Sequence, residues 1–126
     1  MNLLLDTHAL LWSLINDPKL SQEAHAEIVD PDNRVFVSTI SIAEIRIKES
    51  IGKLEDVPSD LYSLLLRVPF EILNFNLEHA IALGSLPHHH RDPFDWMLIV
   101  QAQVEDLILV TRDRKIEQYA VQTLKA

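Results

Sequence analysis

The sequence has no cysteine, which excludes disulfides and thiolate metal sites. It has only two glycines in 126 residues, so most turns must be made by Pro, Asn, Asp and Ser. No apolar run is long and clean enough to span a bilayer. The apolar start, MNLLLDTHALLWSLI, has no basic segment before it, is interrupted by Asp6 and His8, and is followed by no small-residue cleavage pattern. That argues against a signal peptide, and a soluble cytoplasmic protein is the expectation. Basic residues are also scarce. Eleven Lys and Arg against 19 Asp and Glu give a net charge of −8. Phosphate backbones are usually held by Lys and Arg, so the balance has the wrong sign for a protein gripping nucleic acid unaided.

What is present is enough to build a core. Hydrophobic residues make up 48% of the chain, far from a disordered composition. The length suits a single domain over residues 1–126. Residues 2–5 (NLLL) read as a buried strand, and THALLWSLI after them as a helix. Residues 21–29 read as a helix and 34–38 (RVFVS) as a strand. The stretch 40–54 begins with alternating isoleucines, which favours a strand. Its length and its Ala, Glu, Lys and Arg content favour a helix, and Ser41-x-x-Glu44 fits a capping box, so helix is the reading taken. Helices are expected at 59–68, 77–86, 93–106 and 113–120, and strands at 70–75 and 107–111, with a last short strand at the C-terminal end. Strands alternating with helices imply an α/β fold with a mostly parallel sheet covered on both faces.

In such a fold the segments following the strands share one edge, where ligands bind. Asp6 follows the first strand, Glu44 lies one turn into the helix after RVFVS, Asp95 lies in the first turn of the helix opened by Pro93, and Asp113 follows LILVT. Singly, each has an ordinary explanation. Asp6, Asp92 and Asp113 can cap helices, Glu44 can close a capping box, and Asp95 can face a helix dipole. Together they pose an electrostatic problem. Two carboxylates about 4 Å apart repel by ~4 kcal/mol at an effective dielectric near 20, whereas a helix N-terminus returns about 0.3–1 kcal/mol. Either some acids are protonated or a divalent cation lies among them. Oxygen donors without thiolate favour Mg²⁺ or Mn²⁺. Such an ion would also bring a phosphate into an acidic cleft.

The stretches LLLDTHALLW, VSTISIAEI, HHHRDPFDWMLIVQAQ and LVTRDRKIEQY resemble the successive motifs of the PIN domain, and most of all the VapC-type toxins of bacterial toxin–antitoxin pairs. The resemblance runs in order along essentially the whole chain. It implies a three-layer α/β/α fold with a five-stranded, mostly parallel sheet of order 3-2-1-4-5. It implies a metal-dependent ribonuclease whose acidic set falls on Asp6, Glu44, Asp95 and Asp113, with Mg²⁺ or Mn²⁺ as cofactor. It also implies a homodimer and a small DNA-binding antitoxin as partner. One position departs from the pattern: the residue after DPFD is often Arg in similar chains and is Trp96 here. A packing aromatic and a base-stacking platform are the two readings of it.

On this reading Asp6 and Asp95 are direct metal ligands, and Glu44 and Asp113 ligate directly, act through water or position the nucleophile. Thr7, Ser38 and Thr111 flank the acids and could orient them or meet phosphate oxygens, or be ordinary cap hydroxyls; Asp92 is first of all a cap. Arg91, Arg112, Arg114 and Lys115 form the best local basic set for an RNA backbone, against the default of solvated surface charge. Three consecutive histidines, His88 to His90, cannot easily converge on one zinc ion; His90 or Arg91 could meet an RNA phosphate instead. The helices over 40–54 and 59–68 could form a groove for an amphipathic antitoxin segment, or be plain core. Two other functions fit the same residues: a non-catalytic protein-binding module of this fold, and a metal-dependent phosphohydrolase acting on DNA or a small phosphate ester.

Overall fold

The structure is a computed structural model of the 126-residue chain, and it describes residues 1–55 and 57–126. Five short strands carry the fold: β1 (Asn2–Leu5), β2 (Arg34–Ser38), β3 (Glu71–Leu73), β4 (Ile108–Thr111) and β5 (Thr123–Lys125). They form one sheet of order β3-β2-β1-β4-β5, and all four pairings are parallel. The helices are α1 (Thr7–Leu14), α2 (Gln22–Val29), α3 (Thr39–Ser50), α4 (Leu61–Arg67), α5 (Leu77–Ala82) and α6 (Pro93–Glu105). Three-ten turns follow α5 at Leu83–Ser85 and β4 at Arg114–Gln118. The expected α/β/α architecture and its strand order are therefore present.

Strand periodicity decides which face each side chain serves. Leu3 and Leu5 of β1, with Val35, Val37 and Val110, pack against Ala9, Leu10, Ala24, Ile28 and Ile45. Leu4 and Leu109 point the other way and join Leu98, Ile99, Ala102, Ile116 and Tyr119. β1 is thus buried on both faces, which explains its unbroken run of leucines. α6 carries five consecutive buried residues, Leu98 to Ala102, as its nearly all-apolar sequence requires.

Several elements differ from the sequence reading at their ends. α3 starts at Thr39, capped by the Ser38 hydroxyl, which accepts from the Ile40 N–H. Ser41 and Glu44 are therefore interior to the helix and do not form a capping box. The helix stops at Ser50, and Gly52 takes a φ of +70°, the left-handed conformation that ends helices and suits glycine. α6 ends in the same conformation at Asp106, at φ 55°. The expected last helix is a three-ten turn over Arg114–Gln118, and it ends there because Tyr119 is already extended.

A polar thread crosses the apolar interior. The Ser38 hydroxyl lies 2.5 Å from Gln101 Oε1, Gln101 Nε2 lies 3.5 Å from His79 Nδ1, and His79 Nε2 lies 3.2 Å from Glu105 Oε2. Ser38, Gln101 and His79 are fully buried. The thread ties the N-terminus of α3 to α5 and α6. Gln101→Leu leaves the Ser38 hydroxyl without its acceptor, so the expected loss is about 1–3 kcal/mol, read from the urea unfolding midpoint. An unchanged midpoint would mean that the thread adds no net stability.

Candidate active site

The carboxyl edge of the sheet gathers the acids. Asp6 follows β1, and its N–H donates to the Val110 carbonyl at 3.1 Å, which fixes it beside the end of β4. Its Oδ1 caps α1 by accepting from the Ala9 N–H at 2.8 Å. The capping reading is thus correct for Asp6, but it occupies one carboxylate oxygen. Asp6 is buried at 8% exposure. Burial raises its pKa above the usual carboxylate value, the neighbouring Thr111 hydroxyl and the Ala9 N–H oppose that rise, and the Glu44 charge adds to it.

Glu44 is also buried, at 5% exposure. One oxygen accepts from the Thr7 hydroxyl at 2.5 Å, and the other meets Lys48 Nζ at 2.5 Å. Lys48 stands one helical turn after Glu44, the i,i+4 spacing that favours a Glu–Lys pair. Its pKa is raised by its bond to Glu44, with Asp92 and Asp95 adding to the effect. The ammonium therefore lies inside the acidic cluster and relieves part of its repulsion. The sequence reading did not single out Lys48, although its spacing from Glu44 was the available signal.

Asp95 sits in the first turn of α6, placed by the Asp92 cap, whose Oδ1 accepts from the Phe94 and Asp95 N–H groups at 3.0 and 3.2 Å. The Asp95 carboxyl is pushed up to about 7, first by burial, then by the Asp92 and Asp6 charges, against a lowering hydrogen bond from His90. Asp95 is the hub: it feels Asp6 on one side and approaches Asp113 on the other. Single ligand atoms of His90, Asp95 and Asp113 all lie within 4.8 Å of one another, which is close enough to share an ion. Asp113 is exposed and caps the last three-ten turn through the Lys115 N–H at 2.9 Å. Asp6 and Glu44 are not in that tightest set among the described residues: Asp6 is linked to it by its charge on Asp95, and Glu44 lies one step further, acting on Asp6.

The histidine run distributes its rings among different partners. His88 stacks on Trp96, with ring centres 4.1 Å apart and planes 7° from parallel. His89 meets the Tyr119 ring edge-on at 4.9 Å. His90 Nε2 lies 2.9 Å from Asp95 Oδ2. Trp96 also donates its indole N–H to the His90 carbonyl at 2.9 Å, so it packs the loop into place. His90, absent from the acidic set read from sequence, is thereby a member of the site.

The basic set divides. Arg91, Arg114 and Lys115 are exposed, and stand next in sequence to Asp92 and Asp113. The Arg112 guanidinium lies over the Trp12 ring at 4.6 Å, and its Nε and Nη2 donate to the main-chain oxygens of Ala126 and Lys19, so those two nitrogens are engaged within the fold. Ser38 serves the interior thread, whereas Thr7 and Thr111 face Glu44 and Asp6. A cleft of about 500 Å³ lined by Ile28, Val29, Pro69 and Phe70 lies at the opposite edge, by the starts of β2 and β3. It contains none of Asp6, Glu44, Asp95 and Asp113.

The chemistry of this donor set fits a divalent cation. Hard carboxylate oxygens of Asp95 and Asp113 lie within reach of one ion, with the Asp6 carboxylate acting on Asp95 and no thiolate in the chain. Among protein families, the PIN domain matches residues 3–122, and the chain belongs to that family. Three solved complexes share the fold. One is VapBC2 from Rickettsia felis bound to a DNA fragment from its promoter, at 18% identity, TM-score 0.73 and 98% coverage of both chains. Another is DNA-bound VapBC from Salmonella typhimurium, at 18% identity and TM-score 0.71, with 98% of this chain and 97% of that one covered. The third is VapBC-1 from nontypeable Haemophilus influenzae, at 22% identity and TM-score 0.69, with 99% and 98% covered. No curated protein matches the chain.

Proposed function

We propose that this chain is a metal-dependent endoribonuclease, the toxin of a VapBC-like toxin–antitoxin pair. The observation that carries the reading is the approach of separately encoded acids, Asp6, Glu44, Asp95 and Asp113, to one edge of a parallel sheet. Membership in the PIN family and the likeness to VapBC complexes support it. Mg²⁺ or Mn²⁺ would be held by Asp95 with Asp6 and Asp113, and Glu44 would act directly or through water. When bound, such an ion supplies a water of lowered pKa and neutralises charge on the scissile phosphate. The chain's own residues supply the rest. Thr7 and Lys48 orient Glu44, His90 holds Asp95, and Arg91, Arg114 and Lys115 offer cations to the RNA backbone.

Partner binding has candidate surfaces. Ile47 of α3 and Ile51 just after it, and Tyr62 and Leu66 of α4, are exposed apolar residues four apart on their segments, the spacing an amphipathic antitoxin segment would engage. α5 leaves Leu77 and Ile81 exposed one turn apart, available to a second copy of the chain. No helix among the described residues is long and apolar enough to cross a membrane.

The test is a substrate panel of RNA, DNA and a nucleotide ester, each with Mg²⁺, Mn²⁺ or EDTA. RNA alone should be cut, and only with metal. Cleavage of the ester or of DNA in preference to RNA would favour the broader phosphohydrolase reading. No cleavage of any substrate, with toxicity retained in cells, would favour a binding module.

A further inference from the structure

His90 is held from three directions. Its carbonyl accepts from Trp96, its Nδ1 lies 2.9 Å from Tyr119 Oη, and its Nε2 lies 2.9 Å from Asp95 Oδ2. Tyr119 is buried at 4% exposure, and its oxygen accepts two backbone N–H groups, from His89 at 3.0 Å and His90 at 3.3 Å. A phenol oxygen has two acceptor positions and one proton. With both positions filled by N–H groups, the proton is left to point at His90 Nδ1. That nitrogen must accept, so the ring proton is on Nε2, where it donates to Asp95.

We propose that Tyr119 fixes His90 as the Nε2–H tautomer, making His90 a positioning residue that orients the Asp95 carboxylate rather than a metal ligand. The two roles exclude each other at Nε2, because a nitrogen bearing a proton has no lone pair for an ion. The proximity of His90, Asp95 and Asp113 would by itself suit either role; the hydroxyl 29 residues away decides between them. A ligating histidine ordinarily donates its other N–H to an acceptor with free capacity, and the Tyr119 oxygen has none left. Trp96, the residue that departs from the PIN pattern, holds the same loop by its indole N–H. The proposal rests on the nuclease reading only for its catalytic consequence; the tautomer stands apart from it.

Two measurements test it. In ¹⁵N-labelled, metal-free protein at pH 8, long-range ¹H–¹⁵N correlations should show His90 as the Nε2–H tautomer. Tyr119→Phe, which removes only the hydroxyl, should shift His90 toward a mixture. The Nδ1–H tautomer in the unaltered protein would overturn the assignment. Calorimetric titration with Mg²⁺ and Mn²⁺ forms the second arm. His90→Ala should weaken both ions about tenfold, within the range for partners that orient ligands, and leave their ratio unchanged. His90→Gln, which keeps an N–H donor, should recover most of the loss. A loss confined to Mn²⁺, unrelieved by Gln, would make His90 a ligand and refute the proposal. If the unaltered protein binds neither ion, the nuclease reading fails, and the tautomer measurement still decides the role of Tyr119.

Discussion

Asp95→Asn should reduce metal-dependent RNA cleavage by about 10³-fold or more while the protein stays folded. Asparagine keeps the size of the side chain and can still meet His90, but it brings no charge to the hub of the site. Asp95 is the residue whose surroundings reach furthest: its carboxyl responds to Asp92, Asp6 and His90, and its ligand atoms approach Asp113. Electrostatic contributions of this kind amount to roughly 3–4 kcal/mol of transition-state stabilisation for one well-placed group, and loss of an ion would add to that. The check is a single-turnover assay on a fixed RNA, with circular dichroism to confirm the fold. Full cleavage by the variant would remove Asp95 from the mechanism.

The stability of the metal-free protein should fall as pH rises from 5 to 7. Asp95 is moved from 3.8 to about 7 in the folded state, so the native protein binds more protons than the unfolded chain between those values. Stability from this group is complete below about 4, declines by ~1.4 kcal/mol per pH unit, and levels off above about 7. The rise at Asp6, caused first by burial, has the same sign. Between pH 5 and 7 the loss is on the order of 3 kcal/mol, or roughly 10 °C in Tm for a domain of this size. Mn²⁺ should reverse it. A ligand at 100 times its Kd stabilises by about 2.7 kcal/mol, and the carboxyls must be deprotonated to bind it. The expected pattern in thermal melts is a small Mn²⁺ effect at pH 5.5 and a large one at pH 7.5. A metal-free Tm that rises between pH 5 and 7 would contradict the crowding of ionisable acids.

The placement of these acids along one edge of the sheet was legible before any coordinates, because alternating strands and helices in a parallel sheet bring every strand-to-helix turn to one edge. Asp6, Glu44, Asp95 and Asp113 each stand at or just after such a turn. The burial of β1 on both faces was equally readable from NLLL. Glu44 was harder. Ser41-x-x-Glu44 imitates a helix start, and only the Ser38 cap shows that the helix began earlier. Arg112 is an exposed cation, as read, but nothing local reveals that it also lies over Trp12 and donates to Lys19 and Ala126. Tyr119 gave no signal at all. Its contact with His90 spans 29 residues and exists only once the last turn packs against the loop before α6. Local pattern therefore located the acids, whereas tertiary packing decides which oxygens are free to bind and which side chains hold them.

The most direct measurement is the position of Mn²⁺ in crystals, read from its anomalous scattering. The account predicts a peak about 2.0–2.3 Å from an Asp95 oxygen, touching at least one of Asp6 and Asp113, at ordinary Mn–carboxylate lengths. Saturating Mn²⁺ with no peak among these carboxylates, or with one bound elsewhere, would contradict it.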